Sequence, residues 1–167
     1  YFNDADVTAK SIHNEQTIIV GGDTNMAFDK ISASSKTANG AYDKNKPETY
    51  LSRFMVGYAP QDNDNGNGVN GNGYMAEPEE WTNLTVNSVS GNGITIDTFR
   101  ATFFNTNLTL ADDLTISIKH NTSYPNSYGG YNSYVNFGGK IDGEYAQLDL
   151  GGKTMTVNGQ LNIGNAD

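Results

Sequence analysis

Apolar and polar residues alternate with a period of two through much of this chain, and that rhythm restricts what it can fold into. It runs through "LTVNSV" (84–89), "ITIDTF" (94–99), "LTLADDLTISI" (108–118), "YVNF" (134–137), "AQLDL" (146–150) and "MTVNGQLNI" (155–163). Successive side chains of a strand point to opposite faces, so each run puts one face on a core and the other in solvent. The polar partners are mostly Thr, Asn, Asp and Ser. Clusters such as "SGNG" (90–93), "NTN" (105–107), "GG" (138–139 and 151–152) and "NG" (158–159) bound the runs as turns.

The first half is less regular. "ADVTAKSI" (5–12), "TIIVGG" (17–22) and "MAFDKISA" (26–33) read as three short strands. "TYLSRFMVGYA" (49–59) fits a strand or a short helix, and "SSKTANGAYDKNKPE" (34–48) reads as a long polar loop. The expected organisation is an irregular β region over 1–60, a Gly/Asn-rich surface loop over 61–80 and a regular strand region over 81–167, compatible with one continuous domain. Exact repeats are not evident, but "LTVNSVSGNGITI" (84–96) and "MTVNGQLNIGN" (155–165) echo each other.

Composition narrows the class. Only 17% of residues are charged and 36% hydrophobic, yet 10 Tyr and 7 Phe are present, too many aromatics for a disordered chain. The fold class is therefore all-β. Strand spacing and a C-terminal "LNIGNAD" still in pattern favour a segment of parallel β-solenoid (β-helix), with a β-sandwich as the alternative. The net charge of −9 opposes binding to nucleic acid or anionic membrane. No cysteine is present, which excludes disulfides, thiolate chemistry and Cys-ligated metals. No apolar run is long enough for a membrane helix. The sequence starts at Tyr1 without Met or leader, as expected of a processed chain or a fragment.

The stretches "ITIDTF…NTNLTLADDLTISI" and "LDLGGKTMTVNGQLNIGNAD", across residues 94–167, resemble the β-helical passengers of autotransporter (type V secreted) adhesins and toxins, the vacuolating-cytotoxin-like group among them. The resemblance lies in rhythm and composition: Cys-free, acidic, rich in Asn, Gly and Thr. The first half, with "NKPETYLSRFMVGYA", departs from a regular rung pattern. The resemblance implies a surface-exposed or shed protein that makes contacts rather than turning over a substrate.

Three groups of candidate residues stand out. In "DNDNGNGVNGNG" (62–73), Asp62 and Asp64 are hard oxygen donors suited to calcium, but the later positions of an EF-hand loop are Gly66, Asn67 and Gly73, which do not match. Its four Asn-Gly pairs read as turns of an extruded surface loop. In "SYPNSYGGYNSYVNF" (123–137), Tyr124, Tyr128, Tyr131 and Tyr134 alternate with Ser, Gly and Asn. That mixture suits a binding loop, while packing over the ends of a β-core is the equal alternative. Trp81 could stack on a sugar ring, though burial at a strand start is the commoner role for a lone Trp.

Catalytic residues do not emerge. His13 and His120 lie apart in polar segments, and Asp112-Asp113 and Glu79-Glu80 are adjacent pairs whose members face opposite ways on a strand. Asp112-Asp113 marks a turn between "NLTL" and "LTISI". The expected function is a non-enzymatic, extracellular or bacterial cell-surface structural or adhesive protein, secreted and displaying binding loops on a β scaffold. It needs no cofactor, and calcium is chemically possible. Its expected partners are a host or neighbouring-cell surface protein or glycan, or copies of itself. The alternatives are a pilus or filament subunit that assembles by strand addition, and a carbohydrate-binding module.

Overall fold

A computed structural model describes residues 1–15, 17–33, 52–60, 74–76, 79–119 and 134–164, and among them there is no helix. With strands numbered along the chain, a first sheet holds β1 (Phe2–Asn3), β4 (Thr17–Gly21), β7 (Arg53–Val56), β12 (Arg100–Phe104), β15 (Tyr134–Gly138) and β20 (Gln160–Gly164) in that order. A second holds β2 (Asp6–Thr8), β5 (Asp23–Ala27), β10 (Thr82–Asn87), β13 (Thr106–Leu110) and β18 (Leu148–Asp149). A third holds β3 (Ser11–Asn14), β6 (Lys30–Ala33), β11 (Ile94–Thr98), β14 (Leu114–Ile118) and β19 (Met155–Asn158). Every neighbouring pair in these three sheets is parallel. Two antiparallel pairs stand apart: β8 (Tyr58–Pro60) with β9 (Tyr74–Ala76), and β16 (Lys140–Ile141) with β17 (Glu144–Tyr145).

Parallel neighbours cannot be joined by a tight hairpin and need a crossover. Here the crossover is made of the other two sheets. The chain passes from first sheet to second to third and returns to the first, so strands stack in chain order in all three. Like residues then meet. Thr82, Asn83, Leu84, Thr85 and Val86 lie on Thr106, Asn107, Leu108, Thr109 and Leu110. "TNLTV" and "TNLTL" are thus one repeated strand, an equivalence missed in the sequence. The echo between 84–96 and 155–165 relates different positions: 84–96 runs from second sheet to third, whereas 155–165 begins in the third and returns to the first.

The turn from first sheet to second uses one device at five levels. Asp4, Gly22, Gly57, Asn105 and Gly139 each follow a first-sheet strand directly, and each has positive φ. At Gly57 (φ 82°) a Cβ would fall 1.7 Å from the Phe104 carbonyl oxygen, so only glycine fits. Asn105 and Asp4 tolerate the left-handed conformation better than other side chains do.

One apolar core fills the space the sheets enclose. Phe103 sits between Phe54 and Phe137, with ring centroids 6.0 Å away on each side. Ile31, Ile96 and Ile116 stack in the third sheet, and Leu84 and Leu108 in the second. A smaller cluster of Ile19, Met55 and Tyr58, with Phe104 against it, lies on the outer face of the first sheet. The inner strands of that sheet, β4, β7, β12 and β15, are therefore buried on both faces, while β20 at its end is exposed.

Several expected elements are redrawn. "TYLSRFMVGYA" contributes strand β7, not a helix. "ADVTAKSI" is two strands, β2 and β3, and "MAFDKISA" is divided between β5 and β6. Neither break carries a Gly, Pro or Asn; at the second, Phe28 turns the corner with its ring fully buried. "MTVNGQLNI" likewise breaks at Gly159 into β19 and β20. Asp112-Asp113 does fall in a turn, between β13 and β14. The loop read over 34–48 lies outside the described residues.

Candidate functional site

Of the residues singled out in the sequence, Asp62, Asp64, Tyr124, Tyr128, Tyr131 and His120 lie outside the described residues. Tyr134 opens β15 on the outer face of the first sheet, where the Arg100 guanidinium sits 5.3 Å from its ring centre. A cation over an aromatic face is attracted by the ring quadrupole, so this ring takes part in packing. Trp81 is half-buried just before β10. The structure brings Tyr134 and Trp81 into no common cluster.

The carboxylates serve the turns. Asp112 Oδ2 accepts the Ser88 N–H at 3.2 Å, while Asp113 Oδ1 accepts the Thr154 N–H at 2.8 Å, one level further along the stack. Asp29 Oδ1 accepts the Ser90 N–H at 2.8 Å and the Ser88 hydroxyl at 2.9 Å. The Ser90 amide, with help from the two serine hydroxyls and Lys10, holds the Asp29 carboxyl below its ordinary range. Glu79 and Glu80 are exposed. His13 lies 3.3 Å from the Ser32 hydroxyl and 3.6 Å from Glu15, an exposed pairing worth little. Among the described residues no three His, Asp or Glu side chains are grouped to hold a metal ion.

The polar outer faces are organised by the stacking. On the second sheet, Asp4 Oδ1 accepts the Asp23 N–H at 2.9 Å, and Asp23 accepts the Asn83 side-chain amide at 2.7 Å. Asn83 accepts Asn107 at 2.9 Å, and Asn107 accepts the Gln147 backbone N–H at 3.1 Å. An amide both donates and accepts, so identical levels can pass a hydrogen bond along the stack. On the third sheet, Thr95, Thr115 and Thr156 align, and Lys30 reaches Asp97 at 3.2 Å. On the first sheet Asn162 donates to Asn136 at 2.8 Å.

Extra sequence enters at two corners only. From second sheet to third, two to six residues suffice at every level. Residues 34–52 and 119–133 instead fall between the third sheet and the first, and 57–81 and 139–147 between the first and the second. All four insertions flank the first sheet. The two stretches that drew attention in the sequence, 62–73 and most of 123–137, belong to them.

Compared with protein families, curated proteins and solved structures, the chain matches none.

Proposed function

We propose that this chain is a segment of parallel β-solenoid that serves as an extracellular structural and adhesive scaffold, presenting its inserted segments along one side to a protein or glycan on another cell. The observation that carries this reading is the placement of every long insertion at the corners beside the first sheet. A solenoid tolerates insertions where they leave the stack undisturbed, and sequence gathered on one side is available to one partner. The second and third sheets carry hydrogen-bonded polar ladders suited to solvent, with Asp29, Asp112 and Asp113 holding turns, and this reading assigns the scaffold no catalysis. It sits at the bacterial cell surface or outside the cell, as the resemblance to autotransporter passengers implies.

Deletion of 62–72 and, separately, replacement of Tyr124, Tyr128 and Tyr131 by serine test it. Attachment of the protein to cultured cells is expected to fall while far-ultraviolet circular dichroism and melting temperature stay unchanged. Undiminished attachment in both variants contradicts the display reading.

A filament reading draws on a different observation. Leu161 and Ile163 of β20 are 40% and 74% exposed, although their side chains point along the core column of Val135 and Phe137. Addition of one more parallel strand would cover them, and in this reading a second copy supplies it. Sedimentation that stays monomeric at high concentration removes this alternative.

A further inference from the structure

We propose that the outer face of the second sheet, across β2, β5 and β10, binds a neutral oligosaccharide. A groove of about 300 Å³ lies there, with Asp6, Thr8, Asn25, Ala27, Thr85 and Asn87 along it. Its origin is local. Thr8, Ala27 and Asn87 stack on one another, and the alanine methyl leaves a gap where its two neighbours carry longer polar side chains.

The groove differs from the adjoining ladder in what its polar groups have left to offer. Asp23, Asn83 and Asn107 spend their side chains on each other. In the groove, Asn25 donates to Asp6 at 2.8 Å, leaving the Asn25 carbonyl and the other Asp6 oxygen as acceptors. Asn87 uses its carbonyl on the Ser88 N–H at 2.9 Å and keeps its amide donors. The Thr8 and Thr85 hydroxyls make no hydrogen bond to any described residue. Acceptors on Asp6 and Asn25, donors on Asn87 and the two threonine hydroxyls therefore line a shallow, water-exposed trough, the mixture that vicinal sugar hydroxyls require. The Ala27 methyl offers a small apolar floor for the C–H face of a ring.

Spacing and charge narrow the ligand. Strands repeat about every 4.8 Å, close to the length of one pyranose unit, so a linear oligosaccharide laid across the strands would place successive rings over β2, β5 and β10. The Asp6 carboxylate and the net charge of −9 disfavour acidic sugars. The inference deepens the adhesive reading by naming a ligand class. It depends on the sheet face and not on the insertions, so the two can fail separately.

The test is titration of the ¹⁵N-labelled full chain with cellohexaose, maltohexaose and mannohexaose, and with hexagalacturonate as the acidic counterpart. At least one neutral sugar is expected to shift the Asn25 and Asn87 side-chain amide signals. Ala27→Arg, which fills the gap, is expected to weaken that binding by roughly tenfold or more. Thr85→Val, which keeps the shape and removes only a hydroxyl, is expected to weaken it by a few-fold and serves if the arginine variant does not fold. Deletion of 62–72 is expected to leave sugar binding intact. No shift at those amides with any of the three neutral sugars, tighter binding of hexagalacturonate, or unchanged affinity in a folded Ala27→Arg or Thr85→Val variant would overturn the proposal.

Discussion

The first and second sheets are stacked by the same rule, yet they bury their strands differently. In β10 and β13 burial alternates strictly, with Leu84, Val86, Leu108 and Leu110 inside and Asn83 and Asn107 outside. In β7 all four residues are buried, Arg53 included, and β15 is covered on both faces after its first residue. A strand with one wet face must alternate, whereas a strand covered on both faces can run as "TIIVG" or "RFMVG". The difference follows the insertions, which leave the chain only beside the first sheet. The long insertions in the sequence thus fall beside the first sheet alone, and the sequence of each strand records whether one or both of its faces are covered.

The sharpest way to break this contrast is to remove mass from each side. Phe103→Ala empties the centre of the phenylalanine column, where Phe103 is 1% exposed. It should cost about 3–5 kcal/mol in chemical denaturation. Thr109→Ala, on the exposed face of the second sheet, should stay within about 0.5 kcal/mol. Equal losses would mean that the faces are not distinguished as described. At the corners, Gly57→Ala should cost about 1–3 kcal/mol from left-handed strain, with the collision at the Phe104 carbonyl added. Gly91→Ala, also at positive φ (74°) but with open space around it, should cost less in the same measurement.

Smaller effects probe the polar side. Asn83→Ala interrupts the amide ladder between Asp23 and Asn107 and should cost about 0.5–1.5 kcal/mol. The least effect is expected from Asp29. Its folded carboxyl titrates below its ordinary value of 3.8, so its contribution is complete above that pH and is lost as pH falls through the lower folded value. Asp29→Asn should therefore flatten the acid limb of a melting-temperature profile below about pH 4 and change its neutral region little. An unchanged acid limb would show that the Ser88–Ser90 turn does not depend on this charge.

How much of this was legible in the sequence varies by side. The alternating strands of the second and third sheets, 84–87, 94–98, 114–118 and 155–158, were readable because solvent forces the period. The apolar first-sheet runs gave a weaker signal, and "RFMV" fitted either a strand or a helix. Insertions hide the equivalence of Asp23 and Asn83, which lie 60 residues apart, but TNLTV and TNLTL follow each other without one, and their likeness was open to a direct comparison of the two strands. The corner series Asp4, Gly22, Gly57, Asn105, Gly139 was the missing signal, since each marks the end of a first-sheet strand. The groove at Ala27 could not be read at all, because it exists only where Thr8, Ala27 and Asn87 are stacked from separate levels.

The absence of native cysteine makes the stacking directly measurable. Thr85 and Thr109 lie directly opposite each other on adjacent parallel strands, with outward side chains. In a Thr85→Cys/Thr109→Cys variant the two thiols should oxidise to an intramolecular crosslink with the melting temperature preserved. The offset pair Thr85→Cys/Asn107→Cys should remain reduced under the same conditions. Failure of the first pair to crosslink, or crosslinking of both pairs alike, would contradict the in-register stack.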